Sequence, residues 1–360
     1  MLPVNRWILP AGIVLIVAIA CTPLPPAAVA GMETPTPAAA TGAPAMVNES
    51  AAAVATTPTA EKLTLGLGYI PSVQFAPFYV TRAKGFFAEE GLEVDFQHGI
   101  ETDFIKLVGT GEEPFAVASG EQVILARAQG LPVVYVMAWF NRFPVVVFAP
   151  KAAGLTTPQA LEGHRVGIPG LFGASYIAWK ALVYATNIDE AAVTLESIGF
   201  TQAEAVSQGR VDAALDYAVN GPVRLRLAGQ EVDVIYVSDY VNLPSNGLIT
   251  DERTIRERPE LVQRVVRAFT RGLQYTLDHP DEAFAISLQA VPEAGGVNEA
   301  ANRAVFDAVL EEWKPAAGAR LGWSDPQRWE EAARFMREVG LIQTEVDVAA
   351  AFTNQFVEEP

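Results

Sequence analysis

From Lys62 onward, short runs of alternating apolar and polar residues are separated by stretches with helical spacing. Leu63-Thr64-Leu65-Gly66-Leu67 alternates and runs into Gly68-Tyr69-Ile70-Pro71, a strand followed by a turn. Residues 75–90 take a helical spacing that Gly91 stops, and Leu92-Glu93-Val94-Asp95-Phe96 alternates again. Phe104 to Gly109 begins another helix, Phe115 to Ala118 is a short buried strand, and Gln122 to Gln129 is a helix closed by Gly130. Val133 to Ala138 is almost wholly apolar, as a strand covered on both faces requires. The rhythm then restarts. Val166–Ile168, Thr194–Ile198, Ala213–Leu215 and Val232–Val237 read as strands, with helices over Ser175–Ala185 and Gln202–Gln208. After Leu248 come long helices at Arg258–Asp278, Asp281–Gln289, Asn298–Lys314 and Asp325–Val339. Strands alternating with helices at this spacing predict an α/β fold with mostly parallel sheets. The restart predicts two lobes with crossovers near residues 147 and 248. Residues 62–147 plus 248–345 would form lobe 1 and residues 148–247 lobe 2, with the carboxyl ends of their strands facing a central ligand cleft.

The first sixty residues follow a different pattern. Arg6 precedes an apolar run from Ile8 to Ala20, broken only by Pro10 and Gly12 and ending at Cys21, the sole cysteine. A basic start and a short apolar run predict an export signal over residues 1–20, too short for a comfortable membrane span. Ala18-Ile19-Ala20-Cys21 resembles a bacterial lipobox, with Ala18 where leucine is usual. Cys21 is then the lipidation site; the alternative is a plain cleaved signal with an incidental cysteine. Residues 21–61 are largely Ala, Pro and Thr, cannot bury a core and are expected to be a disordered tether. This places the body at the cell membrane, lipid-anchored on its extracytoplasmic face.

Composition narrows the partners. Half of the 360 residues are hydrophobic and 19% are charged, enough for a large core. The net charge of −17 leaves no basic face for a phosphate backbone, so nucleic acid is excluded as a partner. An acidic surface keeps an exported protein soluble, and a monomer is expected.

Several stretches in this order and spacing carry a family likeness. They are Gly68-Tyr69-Ile70-Pro71-Ser72; Ala83-Lys84-Gly85-Phe86-Phe87 with Glu90-Gly91-Leu92; and Ala126 to Val133. Others are Gly163-His164-Arg165-Val166-Gly167-Ile168-Pro169-Gly170, Gly209 to Ala213, and Leu243-Pro244-Ser245-Asn246-Gly247. Over residues 62–340 the chain resembles the periplasmic binding proteins, type II, that include receptors for sulfonates, nitrate and the thiamine pyrimidine precursor. It also looks similar to a riboflavin-binding subgroup. The resemblance implies a solute-binding protein of an ABC importer that hands a small vitamin to a membrane permease.

Candidate ligand groups sit where strands hand over to helices. Gly173-Ala174-Ser175-Tyr176 opens a helix whose free N–H groups favour negative charge on a ligand; Ser175 reads equally as an ordinary N-cap. Ser119-Gly120-Glu121-Gln122 makes a similar turn, where Ser119 and Glu121 could bond a ligand edge. Tyr69, Trp139, Phe140, Tyr176 and Tyr217 lie at predicted strand ends and suit stacking on a flat ring. Gln74, Asn141, Asp216, Asn220 and Asn246 are the polar candidates, while Phe86, Phe87, Phe269 and Trp313 are assigned to the core.

The thiamine-precursor branch carries tryptophan at the position of Tyr69, asparagine at Ser72 and glutamate at Asn220. Loss of that glutamate removes a partner for a protonated aminopyrimidine. An anion receptor would want arginine near its helix starts, where only Arg142 is a candidate, and it reads equally as a solvated side chain. Riboflavin, as transported ligand and not as cofactor, fits this set best. The alternatives are a thiamine pyrimidine precursor (formylaminopyrimidine or hydroxymethylpyrimidine), an enzyme resembling the pyrimidine synthases, and a surface sensor without a transporter. The enzyme reading meets a body without cysteine and three scattered histidines, His98, His164 and His279. No metal-ligand spacing, nucleophile elbow or phosphate loop is present. No catalytic residue and no resident cofactor are expected.

Overall fold

The chain crosses twice between two five-stranded sheets. The computed structural model describes residues 60–315 and 318–357; the expected export signal, Cys21 and the tether as far as residue 59 lie outside the described residues. The strands are β1 (Glu61–Leu67), β2 (Leu92–His98), β3 (Phe115–Ser119), β4 (Val133–Ala138), β5 (Val145–Pro150), β6 (Arg165–Ile168), β7 (Thr194–Ser197), β8 (Ala213–Tyr217), β9 (Val232–Tyr236) and β10 (Asn246–Asp251). The helices are α1 (Ala76–Ala83), α2 (Phe86–Glu89), α3 (Glu101–Thr110), α4 (Gly120–Ala128), α5 (Gly173–Thr186), α6 (Gln202–Ser207) and α7 (Gly221–Leu227). They continue with α8 (Glu252–Glu257), α9 (Pro259–Asp278), α10 (Pro280–Ala290), α11 (Glu299–Trp313), α12 (Pro326–Glu338) and α13 (Val348–Ala351).

The first sheet has the order β2-β1-β3-β10-β4 and the second β7-β6-β8-β5-β9. β1 runs parallel to β2 and β3, while β10 runs antiparallel to β3 and β4. β6 runs parallel to β7 and β8, while β5 runs antiparallel to β8 and β9. The α/β expectation therefore holds, with one reversed strand per sheet that the sequence reading left out. Geometry explains the reversal. A short link from the carboxyl end of β4 reaches the second sheet at the edge where its other strands end. A strand beginning there runs away from that edge, against its neighbours. The same argument takes β9 into β10. The crossovers thus fall at residues 139–144 and 237–245, and the expected positions 147 and 248 lie inside β5 and β10.

Burial follows the predicted patterning. Strands β3 and β4 are buried at every residue: β3 lies inside the sheet, and β4, at its edge, is covered by α4 and α13. Helix α9 buries Leu261, Val262, Val265, Val266, Phe269 and Leu273, one stripe of an amphipathic helix, against the first sheet. Phe269 stacks on Phe78 of α1 with ring centroids 4.0 Å apart. Burial of each such ring contributes about 1.5–3 kcal/mol. Phe87, Phe269 and Trp313 are core residues as expected. Phe86 is only partly buried and lies 4.4 Å beneath the Arg271 guanidinium. Helix α12 packs on both α4 and α5, and so touches helices attached to both sheets.

Candidate ligand-binding cleft

Ends of strands from both sheets converge on one cleft. On the first-sheet side its wall is aromatic. Trp139 follows β4 and lies 5.4 Å from Phe75 with ring planes 31° apart, and Phe140 meets Trp139 edge-on at 4.8 Å. These rings are held from behind, where Trp313 stacks on Trp139 at 6.0 Å and Phe78 packs edge-on at 5.2 Å. The Trp139 Nε1–H is buried without a hydrogen-bond partner. Tyr69 closes the wall beyond β1. Its carbonyl accepts from His98 Nδ1 at 3.1 Å, so His98 Nε2 is left to accept from Tyr79 Oη at 3.1 Å. Burial lowers the His98 pKa and keeps that ring neutral.

A polar floor lies under the aromatic wall. Glu101 opens α3, and its Oε1 accepts from the Ser119 N–H at 2.6 Å, Ser119 Oγ at 2.8 Å and Gln122 Nε2 at 2.5 Å. Gly68 permits this placement, because a Cβ there would lie 2.8 Å from the Glu101 Cβ. Burial pushes the Glu101 carboxyl up, against the three donors that favour its ionised form. Its neighbour Glu121 is wholly buried with neither oxygen hydrogen-bonded. Burial first, and the Glu101 charge second, push Glu121 up as well. Of this pair Glu101 is the better anion and Glu121 the group held protonated.

The second-sheet wall is built from backbone and small polar groups. Helix α5 starts at Gly173, whose φ of 71° is left-handed and favours glycine, and no side chain caps the helix. Ser175 is the third residue of α5 and is not its N-cap. At the end of β8, Asp216 accepts from the N–H groups of Tyr217 at 2.7 Å and Gly221 at 3.0 Å, and from Asn220 Nδ2 at 3.3 Å. Burial, partly offset by these donors, raises its pKa to about 6. The walls touch at several places, among them Phe140 edge-on to Tyr217 at 6.2 Å. Gln74 Nε2 donates to Asn220 Oδ1 at 2.7 Å, Tyr217 Oη to Asn246 Oδ1 at 2.9 Å, and Tyr69 meets Phe200 edge-on at 5.1 Å.

Eleven sequence candidates line this cleft: Tyr69, Gln74, Trp139, Phe140 and Asn246 on one side, and Gly173, Ala174, Ser175, Asp216, Tyr217 and Asn220 on the other. Four lie elsewhere. Ser119 is fully buried behind Glu101, and Glu121 is sealed beneath it. Asn141 turns away to donate to the Trp313 carbonyl at 2.6 Å. Tyr176 packs against the hydrophobic core beside α5. The sequence reading missed Phe75, Glu101, Gln122, Phe172, Phe200 and Gln202, all of which line the cleft. Glu101 was detectable as an acid beginning the helix after β2; starting that helix at Phe104 hid it. A second, more polar cavity shares Tyr69, Gln74 and Asn220 with the cleft and adds Ser72, Arg224, Asn298 and Asn302. Among the described residues no group of three or more His, Cys, Asp or Glu could hold a metal ion, and no helix is long and apolar enough to cross a membrane.

The chain is similar to known proteins in sequence and in fold. The family model described as "NMT1/THI5 like" matches residues 72–283. A protein of Chloroflexus aurantiacus named riboflavin-binding protein RibY is 44% identical over 319 residues, 87% of this chain and 91% of that protein. The formylaminopyrimidine-binding protein of Halalkalibacterium halodurans is 30% identical, over 82% of this chain and 90% of its own length. Among solved structures, the alkanesulfonate-binding protein SsuA of Xanthomonas axonopodis pv. citri, bound to MOPS, superposes with a TM-score of 0.65. That match covers 81% of this chain and 98% of the other at 15% identity, which shows the shared fold alone.

Proposed function

This chain belongs to the NMT1/THI5-like family, and from that premise we propose that it is the extracytoplasmic solute-binding subunit of an ABC importer whose ligand is riboflavin. The observation that carries the ligand is the aromatic wall of Phe75, Trp139 and Phe140, facing an uncapped helix start across an apolar cleft. A flat tricycle is bound by ring contact on the first wall, each good stack adding about 0.5–1.5 kcal/mol beyond area burial. The adjoining polar cavity, with Ser72, Asn220, Asn298 and Asn302, suits a hydroxylated tail. The 44% identity to a protein named for riboflavin binding supports the same ligand. A thiamine pyrimidine precursor is the second reading. It is favoured by the 30% identical relative and disfavoured by Asn220, which offers no carboxylate to a protonated aminopyrimidine.

The cleft binds and does not transform. Among the described residues, lysine, histidine and cysteine are absent from its lining, so it offers neither a thiolate nor an imidazole base, and its carboxyls, Glu101 and Asp216, are engaged in hydrogen bonds. In the proposed cycle the two sheets act as two lobes. Ligand enters between them, and the Gln74–Asn220 and Tyr217–Asn246 bonds hold the closed arrangement that a permease then recognises. Cys21 is the proposed lipid anchor, and the monomer is the proposed working form. Mass spectrometry of the small molecule that co-purifies with the protein tests the ligand. Intact riboflavin is the expected mass, and a pyrimidine in its place would overturn the reading. Cys21→Ala is expected to release the protein from the membrane fraction; retention would rule out lipidation.

A further inference from the structure

Gln122 has one half of its amide engaged and the other half bare. Its Nε2 donates to Glu101 Oε1 at 2.5 Å and to Ser119 Oγ at 3.0 Å. That network fixes the flip of the amide, because a carboxylate can only accept. Its Oε1 is therefore left over. The side chain is only 3% exposed, and Oε1 is buried with no hydrogen-bond partner. An unpaired buried acceptor is costly, so it calls for an explanation. Gln122 lines the cleft, and its Oε1 lies 3.8 Å from where a Cβ on Gly173 would stand. It thus points across the cleft at the start of α5, a fourteen-residue helix whose first N–H groups have no side-chain cap. A bare acceptor on one wall faces a helix start without a side-chain cap on the other.

We propose that Gln122 and the first N–H groups of α5 together form a subsite that reads a ring edge carrying an N–H beside a carbonyl, a cyclic lactam or imide. The ring N–H donates to Gln122 Oε1, and the adjacent carbonyl accepts from the backbone at Gly173–Ser175. Ser119 and Glu101 are positioning residues that hold the amide in this orientation without touching the ligand through those bonds. The subsite accounts for closure as well. The two halves of the edge are bonded by opposite walls, so a ligand with both groups draws the walls together and a ligand with one does not. A site built to bond an N–H discriminates against an analogue without it far more than an apolar pocket can.

This inference rests on the riboflavin reading, since riboflavin carries such an imide edge, and the test separates the two. The purified protein is titrated with riboflavin and with riboflavin methylated on the imide nitrogen, and the same pair is run on Gln122→Met. The wild type is expected to bind the methylated flavin at least about 30-fold more weakly. Gln122→Met is expected to bind riboflavin about tenfold more weakly and to lose most of that discrimination. Equal binding of both flavins by the wild type overturns the subsite and leaves the ligand reading standing. Discrimination that survives undiminished in Gln122→Met overturns the assignment to Gln122. Failure to bind either flavin overturns the ligand reading and the subsite with it.

Discussion

The two walls of the cleft are made of different materials. The first-sheet wall is rings upon rings, in which Trp139 is 3% exposed and clamped between Phe75, Phe78, Phe140 and Trp313. The second-sheet wall ends in loops, where Phe172 and Phe200 are 52% and 50% exposed and the α5 backbone is uncapped. The first wall is closely packed, yet it leaves Trp139 Nε1–H and Gln122 Oε1 without partners; the second is more open and its helix start is uncapped. The difference teaches a division of labour. The first wall supplies preformed apolar area, and the second supplies groups whose satisfaction rewards closure.

The most severe way to break this comparison is to remove a ring from each wall. Trp139→Ala should lower stability by about 3–5 kcal/mol, since it hollows a packed core, and abolish flavin binding. Phe172→Ala should leave stability within about 0.5 kcal/mol of the wild type, as surface changes do, while weakening binding severalfold. Urea denaturation and ligand titration together check both; similar stability losses would erase the distinction.

Buried carboxylates sharpen it next. An acid whose folded pKa is raised binds a proton that the unfolded chain has already lost. Its contribution to stability therefore falls as pH rises from about 4 and levels off above the folded pKa. Glu121, without donors, and Asp216, raised to about 6 yet accepting two backbone N–H groups, share that sign. His98, lowered by burial, has the opposite one: its contribution is present above about 6.5 and is lost as pH falls from there through its lower folded pKa. Comparing variant with wild type cancels such common terms. Glu121→Gln should gain melting temperature relative to wild type between pH 5.5 and pH 8, by a few degrees. Asp216→Asn should lose stability at pH 8, where the ionised carboxylate it replaces makes charge-assisted bonds at the start of α7. A flat Glu121→Gln difference would contradict the buried-acid account.

A smaller effect tests the contact between the walls. A double-mutant cycle of Gln74→Ala and Asn220→Ala should show about 0.5–1.5 kcal/mol of coupling in flavin affinity. Zero coupling would mean the 2.7 Å bond does not report closure. Smallest of all, Tyr176→Ala should change flavin affinity less than about threefold, because its ring lies against the core and outside the cleft lining.

Which parts of this were legible in the sequence follows from local pattern. Most helices and eight of the strands announced themselves through apolar period, while the short α7, α8 and α13 did not; Tyr69, Trp139 and Tyr217 did so through their place at strand ends. The two reversed strands were hidden because β5 and β10 sit at the crossovers, where a strand reads as a linker. Tyr176 failed because its direction around α5 depends on where that helix begins. The Glu101–Ser119–Gln122 floor was hidden for another reason: its residues come from two helix starts that only the parallel pairing of β1 with both β2 and β3 brings together. No local pattern carries that adjacency.

The central claim is that a flat flavin is gripped between a ring-built wall and an uncapped helix start and leaves unchanged. Fluorescence titration of riboflavin with the purified protein tests this most directly. The account predicts saturable quenching at one flavin per chain, as the tricycle stacks on the Trp139 wall, with intact riboflavin recovered on denaturation. Emission unchanged at micromolar protein, or recovery of an altered flavin, would contradict it.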